Sequence, residues 1–236
     1  TAVGYQAARN RTTGSNTTVI GYNAARSGTT ADQVVAIGDN AMYSNTTGGE
    51  CVAVGTNALY NCTASYNTAV GRYTNMLLTT GEHNHSFGRM AGYHTTTGSY
   101  NINLGGTPST ATASNQITLG DTSHSYLRCN DTSIDSLSDR RDKTDIIDLP
   151  IGLDFLNTLK PRQFKWQTRD GNIKDGSTRC GFIAQELQEA QTNYKFLRLV
   201  LEDNPNKLEA NEGHLIPLLV KAIQELSAKV TALEAA

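Results

Sequence analysis

Ser138 and Lys143 combine the residue types and spacing in this chain best suited to chemistry. A serine hydroxyl is a poor nucleophile until a neighbouring base takes its proton. A lysine amine serves as that base when desolvation or nearby cations hold it neutral near pH 7. Arg140 and Arg141 add positive charge between the two, while Asp139 and Asp142 pull the other way. Neighbours on a helical face stand three or four positions apart, so a spacing of five places the pair on a turn or requires another subunit to complete it. Against this, Ser-x4-Lys is a frequent coincidence, and Ser138 is equally able to cap the turn into the next element. No Gly-rich phosphate loop, paired-carboxylate site or Ser-His-Asp arrangement accompanies the pair.

The other candidates are weaker. His83 and His85 place two imidazoles on one expected strand face, and a threefold axis would gather six nitrogens suited to a transition metal. Two solvent-facing turn histidines are the plainer reading, so no metal and no cofactor is expected. Tyr5, Tyr22, Tyr43, Tyr60 and Tyr73 have rings that stack on sugars, yet they recur with a repeat and read more simply as packing or rim residues. Cys51, Cys62, Cys129 and Cys180 lack metal-type spacing and are too few for a disulfide scaffold; they read as free thiols made in a reducing compartment.

The chain that must position these groups has 236 residues, a net charge of −2 and 38% hydrophobic residues. Near-neutrality and a pI of 6.2 give no electrostatic footprint for nucleic acid or an acidic membrane. No apolar run approaches the roughly 18 residues of a membrane span, and no signal-peptide pattern opens the sequence. Because it begins at Thr1, it is expected to be a fragment whose missing N-terminus could carry targeting.

Composition changes abruptly near the middle. Residues 1–137 hold six Arg, no Lys, seven acidic residues, 16 of the 21 glycines and nine of the ten tyrosines. Four of the five prolines and the single Trp lie beyond them, with most of the charge. The simplest division is therefore a segment 1–137 and an ordinary charged domain 138–236.

The first segment is a repeat. An apolar-Gly pair recurs at Val3-Gly4, Ile20-Gly21, Ile37-Gly38, Val54-Gly55, Val70-Gly71, Phe87-Gly88, Leu104-Gly105 and Leu119-Gly120, with glycine spacings of 17, 17, 17, 16, 17, 17 and 15. Alanines follow three residues after the first four glycines. A fixed short period means that each unit stacks on its neighbours. Alternation such as Val35-x-Ile37 and Ile102-x-Leu104 has the period of a strand. The length leaves room for about two strands and two turns per unit, which predicts a β-roll or β-solenoid. One unit carries only two or three large apolar side chains, so three copies sharing a core around a threefold axis are expected. Residues 1–125 also resemble the head repeats of trimeric autotransporter adhesins and similar viral fibre repeats, which implies a trimeric β-roll. The likeness fades after Gly71, where Thr74 replaces the repeated alanine.

In the second segment, Ser138-Asp139-Arg140-Arg141-Asp142-Lys143 is followed by Leu159-Lys160-Pro161, Phe164-Lys165-Trp166, Gly181-Phe182-Ile183-Ala184-Gln185-Glu186 and a C-terminal helix from Leu215 to Ala235. This ordered set resembles the intramolecular chaperone auto-processing domain (peptidase family S74) that ends phage tail fibres and endosialidase tailspikes. The resemblance implies that Ser138 is the nucleophile and Lys143 its base. It further implies that the chain is cut between Leu137 and Ser138, with Asp139 and Arg141 supporting the motif.

The remaining elements follow from local pattern. A helix is predicted at 151–159, a strand at 161–167, a turn at Asp170-Gly171, a helix near 183–191 and a strand near 196–202. Phe164 and Trp166 alternate with Lys165 and are expected to line the core. In the last helix Ile216, Ile223 and Val230 fall at a positions, and Leu219, Leu226 and Leu233 at d positions, of a short coiled coil. An amphipathic helix packed on its own domain is the alternative.

Together these features predict a mainly β repeat followed by a small α+β chaperone domain, in a homotrimeric viral tail fibre. Such a fibre would be made in the host cytoplasm and carried on the virion, where its partners are copies of itself and a host receptor or glycan. The rivals are a surface adhesin whose last domain only trimerises, and the tail end of a glycan-degrading tailspike.

Overall fold

The computed structural model describes residues 1–106, 110–121, 124, 127–130, 137–165 and 178–236. Contacts divide the chain into two compact units, Thr1–Ser125 and Tyr126–Ala236.

The first unit is a parallel β-solenoid. Eight short strands, β1 (Ala2–Val3), β2 (Thr18–Ile20), β3 (Val35–Ile37), β4 (Val52–Val54), β5 (Thr68–Val70), β6 (His85–Phe87), β7 (Ile102–Leu104) and β8 (Ile117–Leu119), stack in sequence order in one parallel sheet. Their register follows the sequence period, with Ile20 opposite Ile37, Ile37 opposite Val54 and Val54 opposite Val70. Coils are numbered here by their strands.

Each coil holds one strand of at most three residues where the period left room for two. The rest of the coil is wound by left-handed corners. Among the described residues of the repeat, eighteen non-glycine residues have positive φ, in columns such as Asn23, Asn40 and Asn57, or Ala25, Met42 and Leu59. Such a backbone costs roughly 1–2 kcal/mol per residue. Hydrogen bonds between coils offset it: Ala25 N donates to Ala41 O at 2.8 Å and Met42 N to Ala58 O at 2.9 Å.

The repeated glycine is a further corner. At Gly55, φ is +133° and a Cβ would lie 2.5 Å from Gly71 O of the next coil. Gly55→Ala is expected to lower stability by about 2 kcal/mol or more through backbone strain and clash. Thermal or denaturant unfolding of the full chain measures it.

The middle residue of each strand points inward. Val19, Ala36, Ala53 and Ala69 are buried beside the repeated alanines Ala24, Ala41 and Ala58. The period-two apolar residues on either side of them face outward.

The second unit contains α1 (Leu153–Leu156), β9 (Arg162–Lys165), β10 (Thr178–Gly181), α2 (Ala184–Ala190), β11 (Val200–Leu201), β12 (Glu209–Ala210) and α3 (Leu215–Glu234). β9 pairs antiparallel with β10, and β11 with β12. Its core gathers Phe155, Leu187, Leu197, Leu199, Leu215 and Leu218. Gln191 is buried among them and accepts from Leu199 N at 2.7 Å, satisfying an otherwise dry amide. The predicted helix at 151–159 is a single turn, and the predicted strand at 196–202 is shortened to Val200–Leu201. A 3-10 turn at Lys195–Leu197 and a left-handed Arg198 precede that strand. Phe164 is half-buried on β9; Trp166 and the Asp170-Gly171 turn lie outside the described residues.

Among the described residues no helix is long and apolar enough to cross a membrane.

Candidate functional site

Residues 139–143 form a tight turn. Asp139 caps a 3-10 turn at Arg140–Asp142 by accepting from Arg141 N at 2.8 Å. Its carboxylate also grips the Arg141 guanidinium, with Nε donating to Oδ1 at 3.0 Å and an Nη donating to Oδ2 at 2.6 Å. Asp142 N returns to Asp139 O, and Lys143 N to Arg140 O, both at 3.2 Å. The turn brings the two ends of a five-residue spacing together, and Lys143 Nζ donates to Ser138 Oγ.

The Arg141 guanidinium, and then its backbone N–H, hold the Asp139 carboxyl below its ordinary value; Asp139 in turn raises Arg141. A carboxyl with a lowered folded pKa contributes stability above its unfolded value and loses it as pH falls through the folded one. The turn should therefore persist below the usual carboxylate range, near pH 3.9. Asp139→Asn removes that anion at every pH. If Ser138 reacts, this change should slow the reaction by about a hundredfold through misplacement of Lys143. Assembly should be unchanged, as read by a cleavage time course beside light scattering.

Ser138, Lys143 and Leu137 are all exposed within one chain. A lysine general base works in a desolvated setting. One chain therefore supplies the contact between amine and hydroxyl and leaves it exposed to water.

The a and d residues of α3, Ile216, Leu219, Ile223, Leu226, Val230 and Leu233, are also exposed. The adjoining Leu215, Leu218 and Ala222, near the start of the same helix, are buried in its own unit. Helix α3 thus carries one wide apolar surface, partly buried within the chain near its start and open along the rest. Glu225 fixes the buried part: it accepts from Leu153 N at 2.8 Å, where α1 begins, and lies close above Gly152.

Sequence pattern did not reveal two further contacts. Glu225 reads as an ordinary surface residue, because its partner is 72 positions away. Arg162 on β9 and Glu186 on α2 form a two-pronged ion pair at 2.6 and 3.0 Å, which ties the last residue of the GFIAQE string to the hairpin. The pairing lowers Glu186 and raises Arg162.

His83 and His85 do not share a strand face. His85 lies on β6, whereas His83 occupies a left-handed corner, stacked between Tyr66 and Tyr100 with ring centroids 4.7 Å apart on each side. Stacking across successive coils fixes its ring away from His85. Among the described residues no three His, Cys, Asp or Glu side chains gather to hold a metal. Tyr5 stacks on Tyr22 and Tyr43 on Tyr60, so these rings spend faces on each other. Cys51 and Cys62 are buried free thiols pushed up by desolvation to about 11 and about 12, which makes them inert; Cys129 and Cys180 are exposed.

The chain is thus a β-solenoid followed by a small α+β unit that carries the Ser138–Lys143 turn and ends in helix α3. Residues 138–195 match the family Peptidase_S74, chaperone of endosialidase, and the match starts at Ser138. No curated protein and no solved structure matches the chain.

Proposed function

We propose that this chain is the C-terminal part of a homotrimeric viral tail fibre. In this reading, residues 138–236 bring three copies together, set their solenoids in register and then cut themselves off before Ser138. The observation that carries the reading is the hydrogen bond from Lys143 Nζ to Ser138 Oγ, on a turn locked by Asp139 and Arg141, at the point where the chaperone-family match begins.

The chemistry is a single-turnover peptide cleavage. Lys143 takes the Ser138 proton, Ser138 Oγ adds to the Leu137 carbonyl carbon, and the Leu137–Ser138 C–N bond breaks as the nitrogen is protonated. Water then hydrolyses the ester. Assembly gates the step, because a neighbouring copy supplies the water exclusion that a single chain lacks. The open a/d stripe of α3 supports a seam between copies.

A clamp at the chain ends answers a real difficulty. Coils repeating every 15 to 17 residues pair almost as well when slipped by one repeat. Joining three ends lowers the closure entropy of the correct register. Removing the clamp afterwards leaves the folded fibre as a kinetic product, placed on the virion by this reading.

The test is expression of 1–137 with and without 138–236. The shorter chain should aggregate or remain monomeric, while shaft released from the full chain should remain a trimer by light scattering. Soluble trimer from 1–137 alone would remove the chaperone role.

A further inference from the structure

Helix α3 holds the early part of its own unit by two kinds of contact. Phe155 of α1 packs with Leu215 and Leu218 in the unit's core. Further along the same stripe of α3 come Ala222, which is buried, and Glu225, which is half-buried. The Glu225 carboxylate accepts from Leu153 N at 2.8 Å, and both of its oxygens lie 2.7 Å from where a Cβ on Gly152 would stand. Lys221, one turn back on α3, pairs with the same carboxylate at 3.9 Å. Leu153 N opens α1, and Gly152 offers it no side-chain cap. The acceptor therefore comes from another element.

The Ser138–Lys143 turn has no such anchor. Among the described residues its hydrogen bonds close within the turn: Asp139 with Arg141 and Asp142, Arg140 with Lys143, and Lys143 with Ser138. All six of its residues are exposed. The first residues after it to pack on the core are Leu149 and Ile151, followed by buried Phe155. Only nine residues separate Lys143 from Leu153, so where α1 docks limits where the turn can stand.

We propose that Glu225 is a positioning residue for the Ser138–Lys143 pair. It ties the start of α1 to α3, and so sets where the turn stands relative to the helix that carries the exposed a and d residues. Its effect on rate rests on the cleavage reading above; its effect on placement does not. Counting from Leu219 at d, Glu225 falls at c, off the a/d stripe, so its task lies within its own chain. A reacting group displaced by about 1 Å loses on the order of a hundredfold in rate, which is why a remote cap matters to the turn. The contact needs one acceptor oxygen, which an amide supplies as well as a carboxylate.

Cleavage time courses on the full chain test the effect on rate. Glu225→Ala keeps a strong helix former in α3 and leaves Leu153 N without its acceptor. The assembled variant should cut about tenfold to a hundredfold more slowly. Glu225→Gln retains an acceptor and should restore most of that loss. Gly152→Ala reaches the contact from the other side, because its Cβ displaces the carboxylate. It should slow cutting on its own and add nothing in Glu225→Ala chains. By light scattering, each variant should assemble as wild type does. A Glu225→Ala chain that cuts at the wild-type rate or fails to assemble, a Gln variant as slow as the Ala one, or additive losses in the double variant would each overturn the assignment.

Placement is measured without cutting. In Ser138→Ala chains with Cys129 and Cys180 replaced by Ser, only the buried native thiols remain. Nitroxides on Arg140→Cys and Ala228→Cys, both at exposed positions, report the distance between turn and helix by pulsed electron resonance, in assemblies diluted with unlabelled chain. The distribution should be narrow with Glu or Gln at position 225 and broad with Ala. Equal widths in all three would overturn the inference. A wild-type chain that never cuts, while Glu225→Ala broadens the distance, removes the cleavage reading and leaves the positioning role standing. A wild-type chain that cuts, with no broadening in Glu225→Ala, does the reverse.

Discussion

Leu226→Asp should abolish both assembly and self-cleavage, although Leu226 lies 88 positions along the chain from Ser138. Leu226 is exposed on α3, one turn beyond Ala222, the last buried residue of that helix. Replacing it leaves the unit's own core untouched. In a threefold seam, however, three carboxylates would share one apolar layer, at a cost of roughly several kcal/mol if they stay ionised. The measurement is light scattering beside a cleavage time course on one sample. A monomer that still cuts itself would mean that the Ser138–Lys143 contact of a single chain is sufficient. A trimer that forms normally would mean that the open stripe of α3 is not the seam.

The second large effect is at the turn itself. Ser138→Ala and Lys143→Ala should each leave full-length chain that still assembles, because folding precedes cutting. Loss of the hydroxyl removes the nucleophile outright; loss of the amine removes a general base typically contributing on the order of a hundredfold to ten-thousandfold. Lys143→Ala cutting at the wild-type rate would dismiss the pair. Asp139→Asn should fall between wild type and these variants, since it disturbs the turn and spares both reacting groups.

The solenoid was legible because every coil reuses one glycine corner, and Gly4, Gly21, Gly38 and Gly55 announce it by spacing alone. The single strand per coil was not legible. Left-handed corners at Ala25, Met42 and Leu59 have residue types with no preference for that backbone, and contacts between coils hold them there. The same alternation that announces the strands hides their orientation, since Val35 and Ile37 face outward around inward Ala36. In the second unit β10 escaped notice because Thr178-Arg179-Cys180-Gly181 has no apolar alternation; its pairing with β9 makes it a strand.

Of the candidate site, residue types and spacing were readable and geometry was not. A spacing of five excludes a helical face, and the structure answers with a 3-10 turn closed by Asp139 and Arg141, the two residues expected to support the motif. Helix α3 was read as either a seam or a domain helix. Its buried apolar residues lie near its start and its exposed a and d residues run on to its end, so the same twenty residues have room for both. The imidazole pair failed because His83 sits one residue before the inward-pointing Asn84, on a corner whose ring position is set by Tyr66 and Tyr100.

The central claim is that the second unit assembles three chains and then severs itself through Ser138. Intact mass and light scattering of freshly expressed wild type beside Ser138→Ala test it most directly. Wild type should give two fragments separated at Leu137/Ser138, with the shaft still trimeric, and Ser138→Ala should give one uncut trimer of the full chain. Uncut wild type under conditions where it is trimeric, or a Ser138→Ala chain cut at the same bond, would contradict it.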